Sequence, residues 1–166
     1  MPSRFDIRPA QPDDCAVIAA MSNAIHAEHD YPGIPHSTDS IRDMMFGDRP
    51  ILESLLARTQ DGDDNGDQVI GQALFQEFYN PDLSGRGLWL TELYVRPAYR
   101  SAKIGEKLMA SLAAEALRRK AVSIWWTVLA DNLKACRFYQ RLGAIDAGAV
   151  LYEIDGAALR NLARQP

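Results

Sequence analysis

Residues 90–109 read LTELYVRPAYRSAKIGEKLM, from Leu90 to Met109, and this stretch decides the fold. Its first half extends back to Gly87 as a long apolar strand, GLWLTELYV, which stops at Arg96-Pro97 because proline cannot continue a hydrogen-bonded ladder. After the turn AYRSAKIG comes EKLMASLAAEALRRK, whose spacing predicts a helix with Leu108, Leu112 and Leu117 near one face and basic residues in its last turn. A strand that opens through a short loop onto a helix start leaves unpaired backbone N–H groups pointing together, a seat for phosphate. Arg100, Ser101, Ala102, Lys103, Ile104 and Gly105 form that loop. Small residues let a ligand approach the backbone, and Arg100 and Lys103 add positive charge. A plain strand-to-helix turn with basic surface residues has the same spacing, so the loop alone does not decide the matter.

Upstream, FDIRPA predicts a short strand and PDDCAVIAAMSNAIHAEH a helix. YPGIPHST is rich in turn formers and is a candidate substrate wall, with Ser37, Thr38 or Asp39 available to cap a helix SIRDMMFG. ILESLLAR and QVIGQALFQEFYN read as adjacent strands joined by the acidic turn TQDGDDNGD, a mobile hairpin loop by composition. Downstream, SIWWTVL predicts a strand whose alternation sends one of Trp125 and Trp126 into the core. NLKACRFYQRLGA predicts a helix ended by Gly143, AVLYEID a last strand and AALRNLAR a tail helix.

At 166 residues the chain fits one domain, 1–166, with a core of its own. Eighteen basic against 22 acidic residues leave a net charge of −4, which gives no general attraction to nucleic acid or anionic lipid. No apolar run approaches the roughly 18 residues of a membrane span, and the start MPSRFDIRPAQPDD lacks a signal-peptide core. Cys15 and Cys136 match neither a disulfide framework nor a paired zinc motif; both are expected to be packed thiols in a reducing, cytoplasmic compartment.

With Arg100 and Gly105 in place, LTELYVRPAYRSAKIGEKLM resembles the cofactor loop of the GNAT superfamily of acyl-CoA N-acyltransferases, with Lys103 where the first glycine is usual. NLKACRFYQRLGA resembles the superfamily's later helix, and FGDRP with WLTELYVRPAYR is similar to the diamine (spermidine/spermine-type) acetyltransferase-like group. The likeness runs from Ile7-Arg8-Pro9-Ala10 to the final strand. It implies an α/β (α+β) fold, an open, V-shaped mixed sheet flanked by helices, with acetyl-CoA wedged where two central strands splay. It also implies that backbone groups of Leu93, Tyr94 and Val95 hold the pantetheine arm, that Ser101 to Glu106 hold the pyrophosphate, and that Asn132 lines the far side. The acceptor pocket falls at the end of the first helix, where Glu28 and Tyr31 sit with His26, His29 and Asp30, and beside Thr91.

Amide formation needs a group to take the proton of the attacking ammonium and, on departure, one to protonate the thiolate. Tyr139 matches the family position whose phenol lies near the CoA sulfur and is the expected acid. Glu92, the one carboxylate within the apolar strand, is the expected base. The diamine enzymes commonly carry two adjacent acids where this chain has Thr91-Glu92, and a bulge could turn either one inward. Glu92 could instead pair with Arg96 or Arg100 at the sheet edge. His26 and His29 are three apart with His36 beyond, but spacing fixes no fourth ligand, and no metal is expected. Cys136 lacks a suitably placed histidine and is no nucleophile. A dinucleotide-binding domain is disfavoured because the three-glycine fingerprint is missing. The expectation is therefore acetyl transfer from acetyl-CoA to a small-molecule primary amine by direct attack in a homodimeric enzyme; the alternative is an acyl-CoA-binding module that has lost turnover.

Overall fold

A computed structural model describes residues 5–29, 33–59 and 68–165. The elements run β1 (Phe5–Pro9), α1 (Cys15–Glu28), α2 (Thr38–Phe46), β2 (Glu53–Thr59), β3 (Val69–Asn80), β4 (Gly85–Val95), α3 (Ile104–Arg118), β5 (Ser123–Trp125), α4 (Leu133–Arg141) and α5 (Gly156–Leu162). The chain forms two compact units, Met1–Thr127 and Val128–Pro166. Most of the expected turn TQDGDDNGD, from 60 to 67, and residues 30–32, which include Tyr31, lie outside the described residues.

In the first unit the sheet is open and mixed, in the order β1-β2-β3-β4-β5. β1 to β4 are antiparallel neighbours, β1 joined to β2 through α1 and α2 and the later pairs by short polar connections, while α3 carries the chain across so that β5 joins β4 in parallel. Alternation along β3 sorts its side chains. Leu74 enters a core with Ile18 and Met21 of α1 and Ile41 and Met45 of α2. Gly71 faces the other way, and a Cβ there would press on Ile104 and Leu108 of α3, so glycine lets that helix lie close to the sheet. Ser37 supplies the α2 cap: its Oγ accepts from the Ser40 N–H at 3.0 Å.

Several expectations are corrected. Leu117 is 76% exposed, because it lies nine residues beyond Leu108, about two and a half turns, on the opposite face of α3. The stripe that α3 buries is Ile104, Leu108, Met109, Leu112 and Ala116. β5 is three residues long, since it pairs with β4 only over Gly87–Trp89, and neither Trp125 nor Trp126 is fully buried. Trp125 packs against Phe78 with ring centres 5.0 Å apart. Cys15 is buried, and burial pushes its thiol up; Cys136 is half-buried rather than packed, and both are free thiols.

In the second unit α4 ends with Gly143 at a left-handed φ of 89°, the conformation in which glycine stops a helix without steric cost. The segment 149–155, expected as a strand, is irregular and exposes Val150, Leu151 and Tyr152. No described strand pairs with it, and an alternating pattern becomes a strand only where a partner completes the ladder.

Candidate active site

The site in the first unit is built around a bulge. Leu74 stands opposite Glu92, but the next residue, Phe75, stands opposite Leu90, so Thr91 is an extra residue in β4. Its hydroxyl donates to the Leu74 carbonyl at 3.0 Å, which ties the bulge to the neighbouring strand. The bulge breaks the two-residue alternation: Leu90 shares the side of Phe75, whereas Glu92 shares the side of Leu74, toward α1. β4 also loses its β5 neighbour here. Pairing with β5 stops at Trp89, and the far edge of Leu90–Val95 has no strand partner among the described residues.

Glu92 is half-buried and fixed from two elements. Ser22 Oγ on α1 donates to Glu92 Oε2 at 2.5 Å, and Gln72 Nε2 on β3 donates to the same oxygen at 3.0 Å and to Ser22 Oγ at 3.2 Å. Gln72 is buried, and its Oε1 has no hydrogen-bond partner among the described residues. An unpaired buried carbonyl costs about 1–3 kcal/mol, and such atoms in a native fold call for a reason other than stability. The sheet-edge pairing considered for Glu92 does not occur. Arg96 Nε donates to the Val69 carbonyl at 2.8 Å, and Arg100 turns to Glu28.

Arg100 and Glu28, expected on the cofactor side and the acceptor side, meet in a bidentate ion pair at 2.7 and 2.8 Å. Each side chain is more than a third exposed, so solvent screens the pair and its value lies in orientation rather than stability. Arg100 also lies 5.6 Å from the Tyr94 ring centre. The Tyr94 hydroxyl approaches Glu28 Oε1 at 3.5 Å, and burial, reinforced by the Glu28 charge, raises its pKa.

The loop after β4 takes a tight turn at Pro97–Tyr99, then passes through Ser101 and Lys103 at φ of 83° and 57°. Lys103 is the N-cap of α3 and its side chain makes no cap bond, so the first N–H groups of the helix, at Ile104, Gly105 and Glu106, have neither an intrahelical nor a capping partner among the described residues. The helix thus starts at Ile104, earlier than expected, because the left-handed turn at Lys103 already aims the chain along the helix axis and seats Ile104 in the core. A lysine holds the angles that a glycine would adopt freely, at a cost of about 1–2 kcal/mol. Lys103→Gly is therefore expected to raise the thermal midpoint by about 2–8 °C. An unchanged or lower midpoint would show that the lysine side chain contributes as much as its backbone costs.

Within the second unit, Asn132 is the N-cap of α4, its Oδ1 accepting from the Ala135 N–H at 3.1 Å. Tyr139 lies two turns along the same helix, stacked edge-on against Phe138, and burial pushes its phenol up to about 12. Sequence reasoning missed Ser22 and Gln72. Ser22 lies one turn before His26 on α1, and a buried serine and glutamine in otherwise apolar runs are the signal that could have found them.

An unpaired strand edge leading into an uncapped helix start is suited to an extended ligand that presents amides to the strand and an anion to the helix, which is the form of an acyl carrier. The sequence profile of the Acetyltransferase (GNAT) family matches residues 20–144. Thialysine N-epsilon-acetyltransferase of Mus musculus is 31% identical, the alignment covering 95% of this chain and 96% of that protein. Spermidine/spermine N(1)-acetyltransferase-like protein 1 of Homo sapiens is 28% identical over 86% of this chain but only 21% of its own length. Among solved structures, the V. cholerae integron cassette protein VCH_CASS6 superposes with a TM-score of 0.78 at 19% identity, covering 99% of both chains.

The chain belongs to the Acetyltransferase (GNAT) family. Its expected likeness to the diamine acetyltransferase group agrees with these relatives, and acetyl-CoA is the family's acetyl donor. The donors described above fit that molecule: uncapped N–H groups at α3 for its pyrophosphate and an unpaired β4 edge for its amide-bearing arm. Among the described residues, no helix is long and apolar enough to cross a membrane.

Proposed function

We propose that this enzyme moves the acetyl group of acetyl-CoA to a primary amine of a small, diamine-like molecule, by direct attack in a ternary complex. The observation that carries the reading is Glu92. Its carboxylate is fixed by Ser22 and Gln72 at the bulge where β4 leaves β5, beside the open strand edge. When bound, acetyl-CoA supplies an activated thioester. Leu93, Tyr94 and Val95 offer backbone groups to its arm, Ser101, Ala102, Lys103, Ile104, Gly105 and Glu106 hold its pyrophosphate with Arg100 adjacent, and Asn132 lines its far side. Glu92 accepts the ammonium proton, and Tyr139, which keeps its own proton at neutral pH, protonates the departing thiolate.

Glu28, Thr91 and Tyr31 form the acceptor side. Two relatives, named for thialysine and for spermidine/spermine, support an amine that carries a second cationic group. The Arg100–Glu28 ion pair joins the two substrate sides, so occupation of one orients a residue of the other. The family match crosses both compact units, which supports reading 1–166 as one catalytic domain. We read the enzyme as a cytoplasmic homodimer with no nucleic-acid or membrane partner, on its composition and charge.

Thermal unfolding with acetyl-CoA, against NAD and ATP as controls, followed by thiol release with pooled amines, tests this reading. At 100 times the dissociation constant, acetyl-CoA is expected to stabilise the fold by about 2.7 kcal/mol, with thiol released only when a diamine is present. A shift without thiol release would favour a binding module that lacks turnover. Absence of a shift would remove the cofactor assignment.

A further inference from the structure

Three ligand-type side chains from three elements converge on the α1 side of β4. His26 is one turn beyond Ser22 on α1, His36 precedes α2, and Glu92 sits at the bulge. One donor atom from each lies within 4.8 Å of the other two. The Nε2 atoms of the two histidines face one another at 3.4 Å, with ring centres 4.8 Å apart and planes at 63°. In one tautomer this spacing allows a long N–H···N bond between the rings. The same spacing is the bite of two imidazoles on one tetrahedral ion: Zn–N distances of about 2.0–2.1 Å place the nitrogens about 3.3–3.4 Å apart.

The ligands are also held in place. Asn23 clamps the His36 backbone, its Oδ1 accepting from the N–H at 2.8 Å and its Nδ2 donating to the carbonyl at 2.9 Å. Gly33 packs on the other edge of the His26 ring, where a Cβ would come within 3.1 Å of Nδ1. Both hydrogen bonds that fix Glu92 fall on Oε2, so Oε1 is the oxygen available to an ion. In the sequence His26 and His29 stand three apart with His36 beyond; the fold groups His26 and His36 with the Glu92 carboxylate. Two imidazoles and one carboxylate are a donor set for zinc-like ions, whereas magnesium and calcium prefer oxygen alone.

We propose that His26, His36 and Glu92 bind one divalent transition-metal ion of the zinc class, and that the bound ion inhibits acetyl transfer by occupying the carboxylate that accepts the amine proton. The inhibitory half rests on the role given to Glu92 above, while binding does not. An ion on Oε1 withdraws the electron pair that the incoming proton needs, and the ordered ligands limit the entropy lost on binding.

The full-length protein, stripped with chelator, is titrated with Co²⁺ while its visible d–d absorption is followed, and with Zn²⁺ in competition. One equivalent of Co²⁺ is expected to give the intensified bands of a four- or five-coordinate site, displaced by Zn²⁺. His26→Gln and His36→Gln are expected to weaken binding at least about 100-fold, and Glu92→Gln about 10-fold or more. Thermal unfolding in chelator confirms that each variant is folded. In the acetylation assay, zinc is expected to inhibit the parent reversibly and to leave the remaining activity of His36→Gln unaffected. Cobalt binding no tighter than that of the His26→Gln/His36→Gln double variant would overturn the site, whatever the turnover. One-equivalent binding without inhibition would overturn the inhibitory half, while the pH profile of Glu92→Gln tests the assignment of Glu92 as base separately.

Discussion

Tyr139→Phe is expected to lower kcat by about 10²-fold or more while leaving acetyl-CoA affinity nearly unchanged. The substitution removes one oxygen and keeps the ring, so the edge-on contact with Phe138 survives. Burial holds the phenol near 12, so it stays protonated across the range in which an amine acetyltransferase works and is ready when negative charge builds on sulfur. Single-turnover measurement with acetyl-CoA separates the chemical step from binding. A kcat equal to that of the parent would strip Tyr139 of its role and leave solvent to protonate the thiolate.

Glu92→Gln should depress kcat/KM by about 10²–10³-fold and move the rising limb of its pH profile toward alkali. Glutamine keeps the length of the side chain and can still accept from Ser22, but it cannot take up a proton. Only amine that has already lost its proton in solution then reacts, and a primary amine ionises near 10.4, so the limb should follow the amine rather than the enzyme. An unchanged profile would transfer the base function to ordered water or to another residue on the α1 side.

The fold was legible wherever pattern and partner coincide. The strand 87–95, the turn at Arg96-Pro97 and the helix beyond were readable because proline, small residues and helical spacing act locally. Segment 149–155 was misread because its alternation says only that it could pair, not that a partner exists. Leu117 was misplaced by counting apolar residues without following them around the helix. Of the site, Glu92 could be singled out as a charge in an apolar strand, but its direction could not, since the register against β3 is set by residues far away in sequence. The grip of Ser22 and Gln72 on its carboxylate was invisible for the same reason: positions 22, 72 and 92 meet only through the tertiary fold. Lys103 was a mismatch by letter, yet it holds the left-handed angle that the loop requires.

The extra residue at position 91 has a consequence for how such a chain can change. Leu90 and Glu92 already face opposite sides of the sheet, so losing the codon for Thr91 would leave every other side chain of β4 on its present face and restore an unbroken ladder to β3. Were all of β4, Thr91 included, in unbroken register instead, Glu92 would share the face of Leu90, away from α1; the one inserted residue is what puts the carboxylate on the α1 side.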